Sequence, residues 1–158
     1  MIGKLTLLTA ALAAASGLVL LEMPAGDKPG ALFRPDDASV VAQGQAIYDR
    51  DCASCHGADL EGQPDWRNRD ADGYLPAPPH DETGHTWHHP DALLFEITKL
   101  GVGKASGIDG YKTRMPAYAD SLTDEEIIAV LSYIKAQWPD ATRRRHDELN
   151  AHYAAQSK

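Results

Sequence analysis

Five consecutive residues, Cys52-Ala53-Ser54-Cys55-His56, carry the clearest chemistry in the chain. Two cysteines three positions apart lie on one face of a helical turn, so both sulfurs can reach the two vinyl groups on one edge of a porphyrin. The histidine that follows then lies under the iron, where a neutral imidazole nitrogen binds as the proximal ligand. The string therefore predicts the covalent attachment of one haem.

Two other kinds of site use a Cys-x-x-Cys pair. A thioredoxin-type redox motif needs flanking βαβ patterning, and no strand-like alternation lies near Cys52. A zinc site needs a second ligand pair at finger-like spacing, but the chain has only two cysteines. Haem attachment is the favoured interpretation, and because it uses both cysteines we expect no disulfide.

A six-coordinate haem needs a second axial ligand, and Met115 is the strongest candidate. The other two methionines, Met1 and Met23, lie outside the expected haem domain. A thioether sulfur favours ferrous iron, so His/Met ligation raises the reduction potential and leaves no open coordination position. The alternative role of a lone methionine is to fill a core, but Met115 lies in a predicted loop and precedes Pro116.

Four histidines lie close together in sequence and offer another kind of metal site. They are His80, His85, His88 and His89. One of them would give bis-histidine ligation, or the group would bind copper or zinc. No further cysteine assists such a site. We instead expect loop residues near the haem rim, where Trp87 would direct its indole N–H to a propionate.

The composition is that of a globular protein with one domain and additional segments. The 158 residues are 43% hydrophobic and 24% charged. The net charge of −8 gives no basic surface for nucleic acid.

The N-terminus has the pattern of a membrane segment. Lys4 precedes an uncharged run from Leu5 to Leu21, which is long for the core of a signal peptide and short for a spanning helix. No small-x-small cleavage site is well placed, so an uncleaved anchor is favoured over a cleaved signal. Lys4 on the cytoplasmic side would place the rest of the chain at the periplasmic face. Residues 22–36, with three prolines and two glycines, predict an extended linker.

Two long helices are predicted to pack together in the haem domain. The first spans residues 37–51 and is capped by Asp36 or Asp37. Its apolar face is Val40, Val41, Gly44, Ile47 and Tyr48. A glycine on that face costs helix stability, which indicates close approach by another helix. The second spans residues 123–138, opens with the capping box Thr123-x-x-Glu126, and would pack against the Gly44 face.

The remaining segments are less regular. Residues 57–90 predict a loop that wraps the haem. Within it, residues 74–79 would line a porphyrin face, and one of their carbonyls would accept the second ring N–H of His56. Further along, residues 90–100 predict a short helix with Pro90 first, residues 101–114 a loop, and residues 140–158 an exposed, weakly amphipathic helix.

Basic residues surround the methionine segment. They are Lys99, Lys104, Lys112 and Arg114, with only Asp109 opposing them in sequence. This pattern predicts a basic patch that steers an acidic redox partner to the haem edge. The alternative is a set of scattered, solvated charges.

These motifs together resemble the class I c-type cytochromes. Gly44-x-x-x-Tyr48-x-x-x-Cys52-x-x-Cys55-His56 is similar to that family's first helix and attachment site, and Met115-Pro116 to its Met-Pro ligand loop. The opening Leu122-Thr-Asp-Glu-Glu and the run Leu131-Ser-Tyr133-Ile resemble its C-terminal helix. The resemblance covers residues 37–138. The chain departs from the family in its expanded loop after His56 and its extension beyond Trp138.

The resemblance implies an all-α fold of three to five helices around one haem c, preceded here by the hydrophobic helix. The expected organisation is an anchor or uncleaved signal at 1–21, a linker at 22–36, a cytochrome c domain at 37–138 and a helical extension at 139–158. The implied cofactor-binding residues are Cys52, Cys55, His56 and Met115, with His56 and Met115 as axial ligands. Candidate pocket residues are Tyr74, Pro78, Trp87 and Pro116.

The implied function is electron transfer by a protein that is not itself an enzyme. It would pass single electrons between respiratory or other redox proteins at the periplasmic membrane face. Two alternatives stay open. One is the cytochrome subunit of a dehydrogenase or peroxidase, with a labile distal ligand. The other is a histidine-rich copper-binding module.

Overall fold

The computed structural model describes residues 28–157, and these residues form helices and loops with no β-strand. The helices are α1 (Ala38–Asp51), α2 (Ala53–His56), α3 (Asp91–Leu100), α4 (Val102–Ala105), α5 (Asp124–Ala136) and α6 (Asp140–Gln156), with one turn of 3-10 helix at Thr86–His88. Over the described range the expected all-α class is confirmed. The hydrophobic helix expected at residues 1–21 lies outside that range. Between residues 28 and 157 no helix is long and apolar enough to cross a membrane.

Helices α1 and α5 pack against each other at the centre of the fold. α1 begins after Asp37, whose carboxylate accepts hydrogen bonds from the backbone N–H groups of Ser39 and Val40 at 3.0 and 3.2 Å. Its predicted apolar face is confirmed at four positions, which are buried: Val40, Gly44, Ile47 and Tyr48. A Cβ atom placed at Gly44 would lie 2.0 Å from the carbonyl oxygen of Ala129 in α5. The predicted close approach of a second helix is therefore confirmed.

The capping box of α5 is present. Glu126 N–H donates to the Thr123 hydroxyl at 3.2 Å, and Thr123 N–H donates to the Glu126 carboxylate at 2.8 Å. These two bonds satisfy backbone donors that the first turn of a helix leaves unpaired. Four apolar residues at helical spacing are all buried, and they are Ile127, Leu131, Ile134 and Trp138. The helix ends at Ala136 and not at Trp138.

Three further features differ from the sequence prediction. Pro90 is the residue before α3 and not its first helical residue. Residues 101–114, predicted as a loop, contain α4, a single short helix. Residues 57–90 are irregular as predicted, except for the 3-10 turn at Thr86–His88.

The described part of the predicted linker is packed onto the domain. Phe33 is only 2% exposed. The backbone N–H groups of Leu32 and Phe33 donate to the Asp91 carboxylate at 2.8 and 3.0 Å, and Arg34 N–H donates to the Ser132 hydroxyl at 2.8 Å. The prediction of a free linker is therefore wrong for residues 28–36. It failed because the partners of these backbone groups lie 58 to 98 residues away in sequence.

The C-terminal helix α6 is not the exposed helix expected from its polar sequence. His146 and Asn150 are buried, at 0% and 1% exposure. Asn150 exchanges two hydrogen bonds with Asp91 at the start of α3, both at 2.8 Å. His146 Nε2–H donates to the His89 carbonyl at 2.8 Å. Polar residues hold α6 to the domain. Its buried face therefore carries no apolar stripe that would mark it in the sequence.

The buried His146 should make α6 sensitive to acid. Burial, aided by the charge of Lys135, lowers the pKa of His146 from its ordinary 6.5, while the carboxylate of Asp91 opposes this effect. The unfolded chain therefore binds a proton before the folded chain does, and stability falls as pH drops below about 6.5. We expect a loss of at most about 1.4 kcal/mol per pH unit from this group.

Urea unfolding of the wild type and of His146→Asn at pH 8 and at pH 5.5 measures that effect. The variant should be less stable at both values but should lose less stability between them. His152→Asn is the matched control, since His152 lies on the same helix and is exposed. An unchanged difference between the two pH values in His146→Asn would contradict the assignment.

Candidate haem site

The end of α1 and the short helix α2 place the attachment residues. The backbone bond from Cys52 N–H to the Tyr48 carbonyl closes α1, and His56 N–H then donates to the Cys52 carbonyl at 3.0 Å. The intervening turn is helical, so the two cysteines share one face as predicted. Both thiols are free, with Cys52 partly buried and Cys55 exposed. They are available to form two thioether bonds.

The thiol of Cys52 does not suit a redox dithiol. Burial raises its pKa to about 12, and the negative charge of Asp51 adds to the rise. Cys-x-x-Cys motifs that exchange disulfides need a thiol whose pKa is lowered, because the thiolate is the nucleophile. The thioredoxin alternative therefore lacks the electrostatics that it requires.

His56 is oriented by the loop that follows it. Its side chain is 6% exposed, and Nδ1–H donates to the Pro78 carbonyl at 2.8 Å. The predicted carbonyl partner from residues 74–79 is thus confirmed as Pro78. Burial lowers the pKa of His56, and the hydrogen bond to Pro78 opposes that shift. The hydrogen bond uses Nδ1, and Nε2 makes no hydrogen bond to any residue within 28–157.

Short backbone contacts hold the Pro78 carbonyl in place. Gln63 N–H donates to the Ala77 carbonyl at 2.8 Å, and the Gln63 side chain accepts from Ala77 N–H at 2.9 Å. Gly62 passes so close to this segment that a Cβ atom there would lie 2.4 Å from the nitrogen of Pro79. Residues 62–63 and residues 77–79 therefore contact each other beside His56, and these contacts stabilise the position of the Pro78 carbonyl.

A buried histidine whose Nε2 makes no hydrogen bond, beside two free thiols, fits a covalently attached haem. Cys52 and Cys55 would hold the porphyrin, and His56 would bind its iron. The hydrogen bond from Nδ1 to a backbone carbonyl is the usual partner of a metal-ligating histidine, since it fixes both the tautomer and the orientation of the ring.

The structure separates His80 from the other three histidines. The rings of His80 and His56 are stacked, with centroids 3.9 Å apart and planes 22° apart. Rings in such contact leave no room for an iron between them, so His80 in this position cannot be the sixth ligand opposite His56. The His80 imidazole also bonds the Thr86 hydroxyl at 2.8 Å.

The rest of the histidine cluster does not form a metal site. His85 stacks on Trp66 and lies 5.3 Å from the ring of His89, while His88 stacks on Trp87. Nowhere in residues 28–157 do three or more histidine, cysteine or acidic side chains meet in a metal-binding arrangement. The copper-module alternative therefore has no support from the geometry.

The indole N–H of Trp87 donates to the Glu82 carbonyl at 3.2 Å, a partner within the same loop. Tyr74 lies against the guanidinium of Arg114 at 4.1 Å, and Pro116 is exposed. The predicted haem contacts of Trp87, Tyr74 and Pro116 stay predictions. Pro78 is the pocket residue that the structure places beside His56.

Met115 is partly buried in a segment that is joined to the attachment helix. Its backbone N–H donates to the Thr113 hydroxyl at 3.0 Å. Three residues later, the Tyr118 hydroxyl donates to the Asp51 carbonyl at 2.9 Å, directly before Cys52. Ligation by the Met115 sulfur stays a prediction.

Two of the four residues in the predicted basic patch are paired with carboxylates. Lys99 pairs with Asp124 at 2.6 Å, and Arg114 pairs with Asp70 at 2.6 Å. Lys112 donates to the backbone carbonyl of Asp72 at 2.9 Å. The prediction that only Asp109 opposes these basic residues is therefore wrong. The carboxylates of Asp70 and Asp124 are far away in sequence but close in space.

Two residues contact the site in ways that their sequence positions do not indicate. His80 was grouped with the later histidines because they share one short stretch, although it directly follows Pro78-Pro79. Tyr118 follows the Met-Pro pair closely, and no periodic pattern marked it. Burial raises its pKa to about 12, so its hydroxyl stays a hydrogen-bond donor.

Comparisons with known proteins agree with this site. A family model for cytochrome c matches residues 41–138, which include most of α1, the attachment motif, Met115 and α5. A cytochrome c-555 from Prosthecochloris aestuarii is 30% identical over 98 residues, which cover 60% of this chain and 84% of that protein. No solved structure matches the chain. The chain belongs to the cytochrome c family and carries one covalently bound haem c.

Proposed function

We propose that this protein is a single-electron carrier whose haem iron is held by His56 and Met115. One observation carries the proposal: Nδ1 of His56 is fixed on the Pro78 carbonyl at 2.8 Å, which leaves Nε2 as the ligand atom. The haem supplies the change between ferric and ferrous iron. The chain supplies attachment, a fixed imidazole, exclusion of water and a thioether that favours the ferrous state.

Met115→Ala tests the sixth ligand. We expect the ferric protein to lose the absorption band that arises from the thioether–iron bond, and its midpoint potential to fall on the order of 0.1 V, a fraction of the ~0.8 V range that axial ligands set. The reduced variant should bind carbon monoxide readily because a coordination position is open. A redox-titrated visible spectrum and carbon monoxide binding measure these effects.

Ile108→Ala is the matched control, since Ile108 is an exposed apolar residue in the segment that precedes Met115. It should leave the band, the potential and carbon monoxide binding unchanged. Rapid and tight carbon monoxide binding by the wild type would contradict a closed iron. That result would favour the second candidate, a cytochrome subunit of an oxidoreductase with a labile distal ligand.

We further propose that the carrier works at the periplasmic face of the inner membrane, where it exchanges electrons with other redox proteins. The support is the uncharged run from Leu5 to Leu21 after Lys4. A soluble periplasmic protein released by cleavage is the alternative.

Membrane fractionation of cells that express the full chain tests the location. The haem protein should sediment with membranes and resist extraction by salt. Replacing residues 1–21 with a cleavable signal peptide should release a haem protein with an unchanged spectrum. Recovery of the expressed haem protein in the soluble periplasmic fraction, with its N-terminal segment cleaved off, would contradict an uncleaved anchor.

A further inference from the structure

We propose that His80 is a positioning residue that fixes the rotational orientation of the His56 imidazole, and through it the electronic structure of the haem iron. The two rings are stacked with their centroids 3.9 Å apart and their planes 22° apart. The inference rests on the proposed role of His56 as the proximal ligand.

One hydrogen bond does not by itself fix an imidazole plane. The bond from Nδ1 to the Pro78 carbonyl restrains one edge of the His56 ring, and the ring can still tilt about that bond. The His80 ring covers one face of the His56 ring and opposes that tilt. The loop therefore holds the ring at an edge through Pro78 and at a face through His80.

His80 is itself held from three directions. Its backbone N–H donates to the Leu60 carbonyl at 2.8 Å, and its carbonyl accepts the indole N–H of Trp138 at 2.7 Å. Its imidazole Nδ1 bonds the Thr86 hydroxyl at 2.8 Å, and that hydroxyl donates to the Pro79 carbonyl at 3.4 Å. Because the hydroxyl has a single proton, Nδ1–H of His80 is the donor to Thr86.

The packing around the ring completes the restraint. The edge of Tyr48 faces His80 with ring centroids 6.4 Å apart and an interplanar angle of 71°. Tyr48 is fully buried and its hydroxyl donates to the Gly57 carbonyl, next to His56. The position of His80 is thus set by α1, by the loop and by Trp138, the second residue after α5.

The orientation of the axial imidazole decides how unpaired spin is distributed over the porphyrin in the ferric protein. The proton shifts of the four haem methyl groups report this distribution and would not move for a residue that only fills space. We expect His80→Ala to redistribute the four shifts relative to the wild type. His80→Phe keeps a flat ring against His56 but loses the bond to Thr86, so it should restore part of the wild-type pattern. His152→Ala, at an exposed histidine on α6, should change nothing.

A second pair of variants keeps the test decisive if His80→Ala folds poorly. Thr86→Val removes the hydroxyl that holds the His80 ring, and Thr86→Ser keeps it. We expect altered methyl shifts in the valine variant and a wild-type pattern in the serine variant. Methyl shifts that are unchanged in both His80→Ala and Thr86→Val would overturn the inference, and so would a failure of His80→Phe to restore any part of the wild-type pattern.

The experiments distinguish a failure of the role of His80 from a failure of the proposed His/Met ligation. The thioether–iron band of the wild type reports His/Met ligation before any change at residue 80. If that band is absent, the proposed ligand set fails. If it is present in all variants and the methyl shifts do not move, only the role of His80 fails.

Discussion

Gly44→Ala should destabilise the folded protein by about 3 kcal/mol, near the upper end of what overpacking a core costs. The added Cβ atom would lie 2.0 Å from the carbonyl oxygen and 2.6 Å from the carbonyl carbon of Ala129, and 2.9 Å from Cβ of Tyr133. None of these atoms is the end of a flexible side chain. The clash can be relieved only if α1 and α5 move apart, which loosens the packing of Ile47 and Tyr48.

Urea unfolding followed by far-UV circular dichroism of the haem-loaded protein measures the loss. Gln43→Ala is the control, since Gln43 is exposed on the same helix and its replacement should change stability by at most about 0.5 kcal/mol. The double variant Gly44→Ala/Ala129→Gly provides a sharper check. It should not recover stability, because the obstructing atoms belong to the backbone of Ala129 and remain. Recovery in the double variant would contradict the backbone clash.

The centre of the fold could be predicted because its signals are local. The capping box of α5 and the apolar face of α1 lie within single helices, so sequence spacing alone indicates them. Gly44 indicated a close helix contact because a glycine within a helix lowers helix stability, and close packing by a second helix offsets that loss. Because the domain has two long helices with apolar faces, α1 and α5 could be predicted to pack against each other.

The parts that could not be predicted depend on single long-range contacts. Asp91 resembles any acidic residue in the first turn of a helix, where it complements the helix dipole. Nothing in the sequence indicates that its carboxylate accepts hydrogen bonds from Leu32 and Phe33, 58 to 59 residues earlier. This one side chain joins both residues 28–36 and α6 to α3, and neither contact could be predicted from the sequence.

The same distinction applies to the haem site. The attachment motif is contiguous, so its chemistry could be predicted from spacing. The carbonyl that holds His56 was expected in residues 74–79 but could not be assigned to Pro78 without the geometry. The ion pair of Arg114 joins residues 44 positions apart, which is why the neighbouring charges appeared unopposed in the sequence.

Asp91→Asn should cost about 3 kcal/mol, the lower end of the range for removing one partner of a buried charge pair. Asp91 is 0% exposed and lies 3.9 Å from the ammonium of Lys135, which is 2% exposed. The cost stays at the lower end because Lys135 keeps a second partner, Asp147, at 2.7 Å. The amide also replaces one acceptor oxygen by an NH2 group, which then faces either the backbone N–H donors of Leu32 and Phe33 or the amide of Asn150.

Asp140→Asn is the matched control for that prediction, because Asp140 also lies in the first turn of a helix but is exposed. If Asp91 acted only on the helix dipole, the two variants would lose similar amounts, each about 0.3–1 kcal/mol. We expect a several-fold larger loss at Asp91, measured by urea unfolding. Hydrogen exchange in Asp91→Asn should rise first in residues 28–36 and in α6, which this carboxylate joins to α3. Uniform exchange across the domain would contradict a local role, since α1 and α5 pack without any contribution from Asp91.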